Sequence, residues 1–228
     1  MQQVDKWITA LVKGKTFADI GGLWGTENEK VTVAAKAAAQ EVTMIDITPL
    51  GSWLWQRFDD RCTSLGVSGH RCIEADINNS VRVAEIGNFD VVHCSGVLYH
   101  APNPLHSLVH IAKICSKVMI LGSAVIPPSI SNTYGTLSLE PGSALFVPAL
   151  NEAQKAVIGQ YFKEVGAQEL IGVTAPSNYA IDDYGPWWWL FTAECLAALL
   201  TVAGFEIIEN ASDWENRTAL YLAQRVSA

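Results

Sequence analysis

Short apolar runs alternate along the chain with longer segments in which apolar residues recur every three or four positions. Residues 16–21, 41–47, 71–77, 89–95 and 117–124 are strand-length runs rich in Val, Ile and Phe. Between them, 27–40 is alanine-rich and reads as a helix, and 52–65 has helical spacing and stops before Gly66. Residues 104–115 open on Pro104, which suits the first turn of a helix. Strands separated by helical segments predict a parallel sheet with crossover helices. The alternation stops near Val125. From there to Pro186 the chain carries Pro127, Pro128, Pro141, Pro148 and Pro176 among many serines and asparagines, and only 151–165 reads as an amphipathic helix. A stretch of this length inside one domain is expected to be a lid or binding insertion, here 126–186 of a single domain spanning 1–228. A helix at 193–203 with Gly204 as its stop follows, and then two strands, 205–211 and 220–226, expected to pair as an antiparallel hairpin.

Composition narrows the class. The chain has 228 residues, of which 50% are hydrophobic and only 17% charged, so a large core is expected and disorder is not. The net charge of -8 argues against a nucleic-acid partner, which needs a positive surface to displace counterions. Lysines and arginines are scattered without a run. The cysteines, at 62, 72, 94, 115 and 195, are odd in number and show no C-x-x-C pair. Neither a zinc site nor a disulfide framework is expected, and a reducing cytoplasm is the expected location. Asp5, Lys6 and Lys13 stand where a signal peptide would need its apolar segment. The apolar stretch 187–205 is interrupted by Thr192, Glu194 and Thr201, so it predicts a buried helix after an aromatic loop rather than a membrane span.

The chemistry begins at Asp19-Ile20-Gly21-Gly22-Leu23-Trp24-Gly25, a strand that ends in an acid and turns through glycines. Glycines let the backbone turn sharply and let a ligand lie against it. A dinucleotide site wants G-x-G-x-x-G, so that a pyrophosphate can sit on the helix N-terminus. The pattern here is Asp-x-Gly-x-x-x-Gly, with a carboxylate where that phosphate would lie. Asp19 repels a diphosphate and suits an ammonium group, so the turn points to a zwitterionic ligand that carries a nucleoside, such as S-adenosylmethionine.

Two further acids stand at successive strand ends. Asp46 closes the second strand about 25 residues beyond the glycine turn, the usual reach for a carboxylate that accepts from ribose hydroxyls. Asp76 closes the third, between Ala75 and Ile77, where it suits an adenine amino group held between apolar neighbours. Each acid also has a capping reading, Asp46 at Thr48-Pro49 and Asp76 near Asn78. Three acids in order at three strand ends favour a nucleoside site. Asp90, at the start of its strand, reads as structural.

The order DIGGLWG, MIDI, EADI, FDVVHCSGVLYHAPNP resembles the class I S-adenosylmethionine-dependent methyltransferases over about residues 15–125, and more loosely over 187–226. GVLYHAPNPL is similar to a subset that includes small-molecule methyltransferases and the tRNA wobble-uridine carboxymethyltransferases. The resemblance implies an α/β, Rossmann-like, doubly wound, seven-stranded, mostly parallel sheet with the reversed C-terminal hairpin. It implies S-adenosylmethionine as cofactor, with Asp19, Gly21, Gly22 and Gly25 along its methionine part. Asp46 with Ile47 would hold the ribose, Asp76 with Ile77 the adenine, and Ser95 would approach the sulfonium end. Trp24 departs from the smaller residues usual there, and either packs over the cofactor or fills the gap beside the first helix.

Methyl transfer from a sulfonium is an in-line displacement in which alignment is the enzyme's main task. His100 is the candidate base, since it follows the fourth strand and imidazole titrates near neutrality. The alternative role is to cap the loop before Pro102. Tyr99 is a candidate to orient substrate. His93, inside an apolar strand, reads as a satisfied core residue. His106 and His110, one helical turn apart, read as a solvated helix face with no metal. Tyr184, Trp187 and Trp188, beside Asp182 and Asp183, form a candidate aromatic wall for a flat or cationic acceptor, with anchoring of the lid as the other reading. The expected activity is methyl transfer to O or N of a small molecule, with a tRNA-modifying methyltransferase, a nicotinamide-dependent oxidoreductase and a non-catalytic nucleoside sensor as alternatives.

Overall fold

A computed structural model describes residues 2–167 and 169–226 of the chain. Five strands alternate with helices in the first half: β1 (Thr16–Ile20), β2 (Glu41–Asp46), β3 (Arg71–Glu74), β4 (Phe89–Ser95) and β5 (Cys115–Ala124). Residues 126–186 contribute β6 (Ser129–Asn132), β7 (Gly135–Ser138) and β8 (Ala144–Phe146), β9 (Trp189–Phe191) follows and pairs with β8, and the chain ends with β10 (Phe205–Asp213) and β11 (Thr218–Arg225). The main sheet has seven strands in the order β10-β11-β5-β4-β1-β2-β3. Neighbours from β5 to β3 are parallel, while β11 runs antiparallel to both β5 and β10. This is the mostly parallel, doubly wound sheet with a reversed hairpin that the pattern predicts. The strand order reverses between β1 and β4, which opens a crevice at their carboxyl ends.

Period-two alternation along β1 sends side chains to two different layers. Phe17 joins Trp7 and Ile8 of α1 (Gln3–Leu11), Val31 of α2 (Val31–Lys36) and Leu54 and Phe58 of α3 (Trp53–Ser64). Ala18 and Ile20 join Val83 of α4 (Ser80–Ile86), Leu108 and Ile111 of α5 (Pro104–Ile114) and Leu200 of α7 (Ala193–Val202). Burial on both faces is what a parallel sheet requires. The insertion packs around its own centre, with Val157, Ile158 and Phe162 of α6 (Glu152–Lys163) against Ile130, Leu137, Val147, Trp187 and Leu190.

Several elements differ from the sequence reading, each for a local reason. The helix expected over 27–40 is only α2, because the amide of Lys30 donates to the Asp19 carboxylate rather than continuing a helix. It ends early because Ala38 adopts a left-handed conformation and Gly14 donates to the Ala38 carbonyl. The third strand stops at Glu74, so Asp76 lies two residues beyond the strand, in a turn where its carboxylate accepts from the Asn78 amide. Helices α1 and α4 were not anticipated. Asn79 caps α4 by accepting from the amides of Val81 and Arg82. Residues 205–211, expected as the first hairpin strand, extend to Asp213.

Gly21 has φ +77°, and a Cβ there would overlap the Val97 side chain, whereas Gly25 has nothing within 4 Å of a Cβ. Gly21→Ala is expected to destabilise the fold by about 2–4 kcal/mol from left-handed strain and overpacking. Gly25→Ala, with φ -96°, should change stability by less than about 0.5 kcal/mol. Urea unfolding of both variants separates the two glycines.

Candidate active site

The crevice at the carboxyl ends of β1, β2 and β4 holds a cavity of about 950 Å³. Asp19, Gly21, Gly22, Gly25, Asp46 and Ile47 line it from the first two strand ends. Asp76, Ile77, Ser95, Tyr99 and His100 line it from the next ones, and Tyr184 closes it from the insertion. The structure thus brings twelve of the sequence-predicted residues to one hollow.

Asp19 is 1% exposed. One oxygen is 2.7 Å from Nδ1 of His93, its partner in the β1–β4 register, and the other accepts from the Lys30 amide at 2.7 Å. Lys30 in turn reaches Asp5 at 2.8 Å and Gln2 at 3.1 Å, tying α1 to the glycine turn. Gly22 has to be a glycine here, since a Cβ would stand 2.6 Å from Asp19 Oδ2 and 2.8 Å from the Met44 methyl. His93 is buried, satisfied by Asp19, and also borders the cavity.

Asp46 takes the capping role with one oxygen only. Its Oδ1 accepts from the Thr48 amide at 2.9 Å, holding the turn after β2. Its Oδ2 is buried and has no hydrogen-bond partner among the described residues. A buried acceptor without a donor is costly, on the order of 1–3 kcal/mol, so this oxygen wants a ligand's donor. Asp76 uses Oδ1 for the Asn78 amide at 2.8 Å and for Asn78 Nδ2 at 3.2 Å, while Oδ2 accepts from the Tyr184 hydroxyl at 3.3 Å.

At the other end, Nδ1 of His100 donates to the Pro186 carbonyl at 3.0 Å. A carbonyl only accepts, so Nδ1 carries the proton and Nε2 is left as an acceptor. Burial lowers the His100 pKa below its ordinary value, against the opposing pull of the Pro186 and Gly185 carbonyls and the Asp183 charge. Tyr99 stacks on His100 with centroids 4.3 Å apart and on Trp187 at 4.4 Å. Burial pushes its phenol up to about 12, so Tyr99 keeps its proton and is a donor rather than a base.

No family model matches the chain, and no curated protein matches it. Among solved structures it is similar to an O-methyltransferase family protein from Burkholderia thailandensis, with a TM-score of 0.60 at 14% identity over 97% of this chain and 53% of that one. It is also similar to magnesium protoporphyrin IX methyltransferase (ChlM) from Synechocystis PCC 6803 with bound SAH, with a TM-score of 0.59 at 15% identity over 98% of this chain and 80% of that one. A third is mitomycin 7-O-methyltransferase MmcR, with a TM-score of 0.57 at 13% identity over 97% of this chain and 53% of that one. The chain has the class I methyltransferase fold. It spans about half the length of the Burkholderia and mitomycin proteins.

Within this methyltransferase fold, one expectation about a side chain fails and two readings left open are narrowed. Trp187 and Trp188 do not line the cavity. Both are buried, Trp187 against Phe162 with centroids 5.3 Å apart, and the Trp188 indole donates to the Asp183 carbonyl at 2.9 Å. They anchor the insertion, and of the proposed aromatic wall only Tyr184 remains at the cavity. His110 is not on a solvated face. It is buried, and its Nδ1 lies 2.7 Å from the Ile77 carbonyl. Trp24 fills no gap beside the first helix, being 73% exposed at the cavity edge and edge-on to Trp53 at 6.4 Å.

Other lining residues escaped the sequence reading, among them Lys30, Asn78, Ile171, Asp213 and Thr218. The D-x-N spacing of Asp76 and Asn78 is a readable side-chain turn signal. The rest arrive by long-range packing. No helix among the described residues is long and apolar enough to cross a membrane. Asp59, His70 and Cys72 bring donor atoms within 4.8 Å of one another at the β3 edge, away from the cavity. His70 Nε2 lies 2.8 Å from Asp59 Oδ1 there.

The lowered His100 pKa has a consequence for stability. The unfolded chain takes up the His100 proton more readily than the folded one, so His100 subtracts stability as pH falls below about 6.5 and subtracts none well above it. Urea unfolding of the protein and of His100→Gln between about pH 8 and pH 5 should show the wild-type advantage shrinking toward acid. A constant difference across that range would contradict the buried, neutral imidazole.

Proposed function

We propose that the protein is an S-adenosylmethionine-dependent methyltransferase that acts on an oxygen or nitrogen of a small-molecule acceptor. The buried, unpartnered Oδ2 of Asp46 carries this reading. It sits at the second strand end, where a ribose hydroxyl would donate to it. The cavity residues fit the rest of the cofactor. The glycine turn gives close approach for the methionine part, with the Asp19 charge behind it, and Ser95 stands at the end of β4. Asp76 and Ile77 lie where the adenine edge would rest. A dinucleotide's pyrophosphate would instead meet the Asp19 carboxylate, which disfavours the nicotinamide alternative.

When bound, the cofactor supplies an electrophilic methyl group on sulfur. The protein's contribution is alignment and exclusion of water. The insertion covers the cavity through Ile171, Asp182, Tyr184 and Gly185. His100 accepts the proton that the acceptor hydroxyl or ammonium gives up, with Nδ1 held by the Pro186 carbonyl and the lowered pKa keeping Nε2 free at neutral pH. Tyr99 orients the acceptor as a donor. A small acceptor suits a chain of charge -8 better than a polyanionic RNA does.

Calorimetry should show saturable one-to-one binding of S-adenosylmethionine and of S-adenosylhomocysteine, and none of NADH. Asp46→Ala should weaken S-adenosylmethionine by about 1.5–3 kcal/mol, the loss for a hydrogen bond to a charged group. An unchanged dissociation constant would remove the ribose assignment. In transfer of labelled methyl to a pool of hydroxyl- and amine-bearing metabolites, His100→Ala should lower the rate about 100-fold or more while leaving cofactor affinity in place. Full transfer by that variant would take His100 out of the role of base.

A further inference from the structure

One short piece of the insertion touches both ends of the cavity. At the Asp76 end, the Tyr184 hydroxyl donates to Asp76 Oδ2 at 3.3 Å and accepts from Asn78 Nδ2 at 2.9 Å. Asn78 is itself fixed by the Ser107 hydroxyl on α5, at 2.5 Å. Two residues after Tyr184, the Pro186 carbonyl holds His100, and the Trp188 amide donates to the Tyr99 carbonyl at 2.8 Å. The chain between these anchors is braced. Asp183 accepts from the Gly185 amide at 2.8 Å through its side chain and from the Trp188 indole at 2.9 Å through its carbonyl. A displacement at Tyr184 therefore has little slack before it reaches Pro186.

Tyr184 is also placed for its hydroxyl rather than for its ring. It belongs to none of the three hydrophobic clusters and makes no aromatic pair among the described residues. Asp76 Oδ1 is already committed to Asn78, so any further donor arriving at this carboxylate meets Oδ2 and the Tyr184 hydroxyl.

We infer that Tyr184 is a positioning residue that couples adenine occupancy at Asp76 to the placement of His100. The inference rests on the S-adenosylmethionine reading of the cavity. An adenine amino group that donates to Asp76 Oδ2 shares that oxygen with the Tyr184 hydroxyl and shifts the hydroxyl against Asn78. The braced turn carries the shift to the Pro186 carbonyl, and so to the bond that fixes the His100 ring. Seating of the cofactor's adenine end thereby adjusts a base that the Pro186 carbonyl already holds.

Adenosine is the probe, because it fills the base and sugar end and leaves the His100 end empty. The imidazole resonances of the whole protein are followed by NMR, with the His100 signals assigned by their loss in His100→Gln. Adenosine should move the His100 signals of the wild type. In Tyr184→Phe, adenosine should still bind, within about tenfold of wild type by calorimetry, and the His100 displacement at saturation should fall at least twofold. Phenylalanine keeps the ring, so an unchanged thermal midpoint is expected. Asn78→Ser, which cuts the same tie from the other side, should give the same loss. An equal His100 response in wild type and Tyr184→Phe, or no response in a wild type that binds adenosine, would overturn the coupling and leave the cofactor assignment standing. Failure of both adenosine and S-adenosylhomocysteine to bind the wild type would overturn the cofactor assignment, and the coupling with it.

Discussion

The structure depends first on a buried carboxylate. Asp19 lies in the middle of the sheet with almost no exposure, and an ionised acid there needs partners. It has two: the imidazole of His93 on the adjacent strand, and the amide of Lys30. The first locks β1 to β4, the pair between which the strand order reverses. The second stops the following helix from starting early and holds the Gly21–Gly25 turn open. Lys30 then carries the constraint to α1 through Asp5 and Gln2. The crevice opens where the sheet changes direction, and the charge is satisfied at that same place. Both oxygens of Asp19 are engaged within the protein, one on the His93 ring and one on the Lys30 amide. It acts on a ligand through its field and through the backbone it holds.

The remaining polar groups divide between those that finish the protein and those that wait for something else. Asp76 and Asn78 satisfy one another and the insertion. Asp46 keeps one oxygen for its own turn and leaves the other unmet. His100 has its proton placed on the nitrogen that faces protein, which leaves the other as an acceptor. Unmet acceptors are rare in protein interiors. Asp46 Oδ2 is such an acceptor at the cavity, and it marks a place where a donor from a bound molecule would have much to gain.

How much of this was legible in the sequence follows from the range of the interactions. The five parallel strands, the hairpin and the residues at the strand ends were readable because each is set by local patterning and by the rule that ligands gather at carboxyl ends. Helix α2 was misjudged because its start is set by Asp19, eleven positions away and on another element. Asp76 was placed on a strand that stops at Glu74, since the turn at Asn78 competes with the ladder. Trp187 and Trp188 were offered to the cavity because their spacing cannot show which way an irregular segment faces; packing against Phe162 and a bond to Asp183 decide it. His110 read as solvated because its partner, the Ile77 carbonyl, lies 33 residues away.

The insertion has a hydrophobic centre of its own, built from α6, the β6–β7 ribbon and the tryptophan segment. It meets the rest of the domain through Ala124 and Tyr99 and through Trp214 and Arg217 at the tip of the β10–β11 hairpin. The two halves of the cavity wall can therefore diverge on separate schedules. Substitutions within the insertion's centre can remodel one side of the cavity while the strand ends stay fixed, so a single scaffold of this kind can change the shape of its hollow by exchange of one module.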